Sequence, residues 1–373
     1  LTSTARAYGR RATKWARAVL AALILAAAAL LAASAPAVPD STTAPAPVVI
    51  DGLDLHDGMA YKDGATYYMV GTMYGCGYQW YVPSPWCGFG VSTAPSLDGP
   101  WSSPQMLFPA TEMDPYTGKT FAAECATVNG HGCFNPRLME RGDGVWVLWF
   151  NMPDARTSTT TSAYWIMGCN GPAGPCGASA GAPSGSTHKP TLHQCAGNNG
   201  DFALVPDGTG GAAIICSYGG TLAIEQLDKW WANGNGTGSN GLAGLADVEG
   251  VGAWQDPASG TWVMTYAEKC GYCTGTPTGY ATAPSLTGPW TAPGNLGWSA
   301  PAGGRRDISP GCGGQARTVS VVDDIPYQGA DTWQGTRNET AADTLLSPLT
   351  YTPTAGAPGD GHRWIPPVSY PCN

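Results

Sequence analysis

The nonapeptide TAPSLDGPW at 93–101 returns as TAPSLTGPW at 282–290, with eight of nine residues identical. The likeness continues upstream: Cys76-Gly77-Tyr78 answers Cys270-Gly271-Tyr272, the apolar run 66–72 answers 261–266, and His56-Asp57-Gly58 answers Val248-Glu249-Gly250. Repeats built from several short strands are the signature of a propeller or a solenoid. Three weaker copies share a polar residue, an apolar run, a turn and a second apolar strand. They lie at 135–150 with a turn at Asp143-Gly144, at 201–218 with a turn at Asp207-Gly208, and at 315–324 ending on Asp323-Asp324. Such turn residues supply the positive φ that tight hairpins demand. The leading polar residues fall at 57, 135, 201, 249 and 315, a mean spacing of about 65 residues, enough for a four-stranded blade with its loops. The reading is all-β, a five-bladed β-propeller over 49–373, with a two-sheet sandwich as the alternative that short strands alone do not separate. Composition agrees, because 52 glycines and 32 prolines among 373 residues exclude a helical bundle.

The innermost strand of each blade lines the central channel, so Asp57, Asn135, Asp201, Glu249 and Gln315 are expected to converge at one mouth. Three carboxylates there are expensive to bury, and mutual repulsion should keep at least one protonated near neutral pH. A protonated and an ionised carboxyl facing one pocket are what glycoside hydrolysis requires. Any one of these acids, taken alone, would equally serve to cap a turn or hold a structural cation. The net charge of −9 argues against nucleic-acid phosphates as partners.

In these residues the chain resembles glycoside hydrolase family 43, five-bladed propellers that invert configuration while cutting arabinose-, xylose- or galactose-containing polysaccharides. The resemblance implies that His56-Asp57-Gly58 carries the general base, Asp201-Phe202-Ala203-Leu204 the residue that tunes the acid, and Val248-Glu249-Gly250 the general acid. Within the family the exo-β-1,3-galactanase branch is most alike: Asn135-Pro136-Arg137-Leu138 resembles its second blade and Gly314-Gln315 its fifth. That branch lacks the first-blade aspartate and uses the fifth-blade glutamine as base, which makes Gln315 a second candidate beside Asp57. The chain departs from the branch at Asp57 itself, at Thr72 in place of a glutamate, and at Phe134 in place of an acidic sugar contact.

Sugars stack their apolar faces on aromatic rings, and Tyr78, Trp80, Trp86, Trp254 and Tyr272 sit in or beside segments that follow the carboxylate positions. Trp and Tyr fill propeller cores equally well. Asn135 and His56 complete the candidate substrate contacts, His56 with a supporting hydrogen bond as its other reading. Sequons at Asn235 and Asn338 are too common a pattern to use.

Residues 1–37 read as a secretory signal, basic residues followed by an apolar run and Ala35-Pro36-Ala37, with 38–48 as a linker; a retained anchor is the alternative, and Arg10-Arg11 hints at twin-arginine export. All 12 cysteines follow, suggesting six disulfides, with spacing that favours Cys76–Cys87, Cys125–Cys133, Cys169–Cys176 and Cys195–Cys216 and a small loop at Cys270–Cys273. The expectation is a secreted, monomeric hydrolase of arabinan, arabinogalactan or galactan. It would have no membrane attachment after signal removal and no required cofactor, with a structural calcium ion in the channel allowed. A sugar-binding propeller without catalysis is the alternative, and a lyase or transglycosidase the third.

Overall fold

The structure is a computed structural model, and it describes residues 45–79, 82–127, 132–152, 163–177, 187–197, 200–218, 221–292, 311–335, 339–352, 368–369 and 371–372. The expected signal and most of the expected linker, together with Trp80 and Asn338, lie outside the described residues.

Five antiparallel sheets form the blades. The first contains β2 (His56–Asp63), β3 (Thr66–Thr72), β4 (Phe89–Ala94) and β5 (Gln105–Met106); the second β6 (Phe134–Glu140), β7 (Trp146–Asn151) and β8 (Tyr164–Cys169). The third contains β9 (Phe202–Pro206), β10 (Ala212–Tyr218), β11 (Thr221–Leu227) and β12 (Gly234–Asn240); the fourth β13 (Val248–Gln255), β14 (Trp262–Glu268) and β15 (Thr278–Ala283). The fifth contains β16 (Gln315–Val322), β17 (Ile325–Thr332) and β18 (Asp343–Pro348), and its outer edge is completed by β1 (Val48–Ile50) from the other end of the chain. Inner strands pack in a closed ring, β2 on β6, β6 on β9, β9 on β13, β13 on β16 and β16 back on β2. The fold is a five-bladed β-propeller, and the sandwich alternative falls away.

Local chemistry explains the reversals. Asp323 and Asp324 adopt φ of 51° and 62°, the paired left-handed conformation of a two-residue hairpin, and Gly144 and Gly208 take φ of 83° and 76° in theirs. The repeated nonapeptides end the third strands of blades one and four with the same turn, in which Ser96 and Ser285 hydroxyls donate to the Gly99 and Gly288 carbonyls. The cysteines pair as their spacing suggested, with Cys312–Cys372 as the sixth bridge and no free thiol. Among the described residues no helix is long and apolar enough to cross a membrane.

Closure of the ring depends on β1, where Val48 pairs with Leu346 and Ile50 with Thr344. Ile50 is 4% exposed, within a cluster containing Val48, Leu55 and Leu346. An Ile50→Ala variant is therefore expected to lose about 3 kcal/mol of stability by urea unfolding; a loss below about 1 kcal/mol would mean that the closure contributes little.

The inner strands carry a further feature. Register shifts interrupt four of them near the start, between His56 and Met59, Phe134 and Arg137, Glu249 and Gly252, and Ala316 and Val319. These are β-bulges, which bend a strand and re-aim the side chains beside it. Asp57 and Asn135 occupy their bulges with φ of 51° and 57°. The five polar positions are thus not strictly equivalent: Glu249 shares the register of His56 and Phe134, and Gln315 lies one residue earlier than Glu249 does.

Candidate active site

The bulged starts of the inner strands open at one channel mouth, in a pocket lined by Asp57, Asn135, Asp201, Glu249 and Gln315, with walls from Tyr74, Phe134, Tyr272 and Trp333. The four proposed catalytic side chains and Asn135 and Tyr272 are therefore brought together, although they leave their strands at different registers.

Glu249 lies in β13 with Asp201 just ahead of the neighbouring β9. Its Oε1 accepts the Cys270 N–H at 2.8 Å and Gln315 Nε2 at 3.0 Å. Burial, then the charge of Asp201, pushes the Glu249 carboxyl up to about 8, against the pull of those two donors. With Oε1 occupied by two N–H groups, the proton belongs on Oε2. Burial also raises Asp201, whose Oδ1 accepts Asn135 Nδ2 at 2.9 Å. Asn135 is itself braced, donating to Asn151 Oδ1 at 3.2 Å.

Asp57 accepts the Thr72 hydroxyl at 2.7 Å on Oδ1, donates its backbone N–H to Asp331 Oδ2 at 2.9 Å, and receives Arg137 Nη1 on its backbone carbonyl at 2.6 Å. Burial, followed by the nearby Asp331 charge, raises its carboxyl to about 7, while Thr72 and Arg137 oppose the shift. Thr72, the departure noticed in the sequence, is thus the hydroxyl partner of Asp57.

Gln315 is satisfied on both sides of its amide. Nε2 donates to Glu249 Oε1 and to the Cys270 carbonyl at 2.7 Å, and Oε1 accepts the Tyr272 N–H at 3.0 Å and the Trp333 indole N–H at 2.8 Å. Tyr272 takes φ of 55°, packs its ring 4.9 Å from Trp333, and shares a hydroxyl hydrogen bond with Tyr74 at 3.1 Å.

Four expected substrate contacts lie elsewhere. Trp254 lines the opposite end of the channel beside Trp146 and Trp262, because five residues of extended strand beyond Glu249, at roughly 3.3 Å each, carry it away from the mouth. Tyr78 is fully buried behind the wall, 5.2 Å from the Tyr74 ring and 5.5 Å from Phe134. His56 is fully buried as well, with Nε2 3.4 Å from Asp54 Oδ1 and Nδ1 3.6 Å from Asp331 Oδ1. Burial alone would lower this imidazole, but the two carboxylates outweigh it and raise it to about 9, so His56 is a cation beneath the site. Trp86 joins the core, its ring 5.0 Å from Phe89.

Asp331, Trp333, Tyr74 and Arg317 are the lining residues that sequence reasoning passed over. Asp331 faces Gln315 across the β16–β17 pair, and an acid inside the otherwise uncharged, largely buried run of β17 was the available signal. Among the described residues no group of three or more His, Cys, Asp or Glu is placed to hold a metal ion. The mouth carboxylates are engaged with protein donors instead.

No family model and no curated protein matches the chain by sequence. Solved structures do match by shape. An exo-β-1,3-galactanase of Phanerochaete chrysosporium with β-1,3-galactotriose superposes with a TM-score of 0.57 at 14% identity, over 81% of this chain and 64% of that one. The fold is that of these galactanases. A second, from Clostridium thermocellum, gives 0.55 at 14% identity over 85% and 61%. An exo-1,5-α-L-arabinanase from a bovine ruminal metagenomic library gives 0.53 at 16% identity over 85% and 97%. The chain spans less than two thirds of either galactanase's length, so this galactanase-like propeller corresponds to only part of those proteins.

Proposed function

We propose that the protein is an exported, monomeric, inverting glycoside hydrolase acting on arabinose- or galactose-containing cell-wall polysaccharide, with β-1,3-linked galactan the first substrate to test. The observation that carries this reading is geometric: Glu249 and Asp57 line one aromatic-walled mouth, Glu249 beside the Asp201 carboxylate that helps hold its proton and Asp57 beside the Thr72 hydroxyl and Arg137 that favour its ionised form. Glu249 donates its proton to the departing glycosidic oxygen as the C–O bond breaks. Asp57 takes a proton from the water that attacks the anomeric carbon from the opposite face, so the product anomer is inverted. Asp201 keeps Glu249 protonated, and Gln315, whose amide oxygen is engaged by two N–H donors, holds Glu249 in place. That engagement supports Asp57 rather than Gln315 as the base. The proposed chemistry draws on carboxyl groups and calls for no cofactor. Six disulfides support the extracellular assignment.

The reading is tested by incubating purified protein with galactan, arabinogalactan, arabinan and xylan and observing the first-formed anomer by NMR. Release of an inverted sugar from a galactan or arabinan is expected; retention of configuration would remove the inverting mechanism, and inactivity on all four would favour sugar binding without catalysis. The pH dependence has a definite sign. The base must be ionised and the acid protonated, so kcat/KM should fall below about 7 as Asp57 takes up a proton and fall again above about 8 as Glu249 loses one. A profile flat from pH 5 to 10 would contradict both assignments.

A further inference from the structure

We infer that Asp331, on the second strand of blade five, is a positioning residue for Asp57, holding its backbone in the left-handed conformation that places its carboxyl in the pocket. This deepens the reading of Asp57 as the base and rests on it.

The backbone of Asp57 is strained. Asp57 has φ of 51° inside a β-bulge, a conformation that side chains other than glycine seldom adopt unless surrounding groups impose it. Three groups from three blades do so here. Thr72 of blade one holds the carboxyl, Arg137 of blade two donates to the backbone carbonyl, and Asp331 of blade five accepts the backbone N–H. Without Asp331 that buried N–H loses its partner, and the bulge loses the contact that ties it to the last blade.

Asp331 is built to act through Asp57 rather than on substrate. Its side chain is 3% exposed, Oδ2 is taken by the Asp57 N–H, and Oδ1 is buried, facing Arg317 Nη1 at 3.5 Å and His56 Nδ1 at 3.6 Å. Burial would raise this carboxyl, but the two cations outweigh it and keep Asp331 ionised. His56 is in turn held by Asp54, so alternating charges run Asp54, His56, Asp331, Arg317 behind the bulge. Burial, Asp331, the Thr72 hydroxyl, Arg137 and His56 set the titration of Asp57, which in turn raises the neighbouring phenols Tyr74 and Tyr78; Arg137 and Asp201 also face Asp331.

The experiment compares wild type, Asp57→Asn, Asp331→Ala and Asp331→Asn on whichever polysaccharide the wild type cleaves, with thermal unfolding of each. Asp331→Ala is expected to lower kcat by about 10- to 100-fold while KM stays within about twofold, the consequence of a displaced reacting group. Asp331→Asn retains one acceptor for the Asp57 N–H and is expected to recover at least about fivefold of that loss. In both variants the acid limb of kcat/KM should move to lower pH, because a negative charge that holds the Asp57 carboxyl up has gone. An unmoved acid limb in the folded variants, with losses that follow only the unfolding temperature, would show a structural role alone and overturn the inference. Should Asp331→Ala fail to fold, the limb in Asp331→Asn decides the question by itself. If Asp57→Asn keeps wild-type activity, the base assignment fails and the positioning role falls with it; if Asp57→Asn is inactive while both Asp331 variants match wild type in rate and pH profile, the base assignment stands and only the positioning role is lost.

Discussion

A Glu249→Gln variant should lose at least about two orders of magnitude in kcat on unactivated polysaccharide while still binding sugar, the usual share of a positioned general acid. Glutamine has the volume of glutamate and keeps an acceptor for the Cys270 N–H and Gln315 Nε2, so the mouth retains its shape. What disappears is the proton on the second oxygen. An aryl glycoside whose leaving group departs without protonation should recover most of the loss, since it does not need that proton. Near wild-type turnover of the polysaccharide would remove Glu249 from the mechanism. Binding without turnover in the wild type as well would instead identify a lectin.

Asp57→Asn is expected to cost about 10² to 10⁴ in kcat whatever the leaving group, because the attacking water then has no base. The backbone contacts to Asp331 and Arg137 survive the change, and asparagine still presents an oxygen to Thr72, so folding stability should hardly move. The companion variant Gln315→Glu separates the two candidate bases. A carboxylate at 315 keeps the Tyr272 and Trp333 donors, but it loses its own donation to Glu249 and the Cys270 carbonyl and sets a like charge beside the acid. Reduced activity in both variants is the expected result. Full activity in Asp57→Asn would show that Asp57 is not the base and return Gln315 to that role.

The blades and the place of Glu249 at the mouth were readable from the sequence for local reasons. Hairpins announce themselves by aspartate and glycine at fixed places, as at Asp143-Gly144 and Asp323-Asp324, and an acid such as Glu249 inside an apolar run is costly enough to notice. The walls and supports were not, because they depend on depth along a strand and on the join between blades. Trp254 and Glu249 share one strand yet face opposite ends of the channel, and no local pattern marks the crossing point. Asp331 and Trp333 reach the mouth from the far end of a second strand, because β17 runs back along β16 and ends opposite Gln315. Four inner strands bulge at the same register, but relative to Glu249 the polar residue falls one place later at Asp57 and Asn135 and one place earlier at Gln315, a stagger hidden when first polar residues are aligned.

Ring closure by β1 also sets an order of events during synthesis. Val48 pairs with Leu346, about 300 residues away, so a ribosome adding about 5–20 residues per second leaves the first strand without its neighbour for about 15–60 s. Through that interval the nascent chain carries an unpaired strand at its leading end and an unfinished blade at the other, each able to pair with the wrong edge. Asp331 is made late in the same interval, so the backbone of Asp57 acquires its last partner only as the final blade forms. The proposed site is therefore complete only once blade five is in place, and a chain interrupted before it would leave the Asp57 N–H without its Asp331 acceptor.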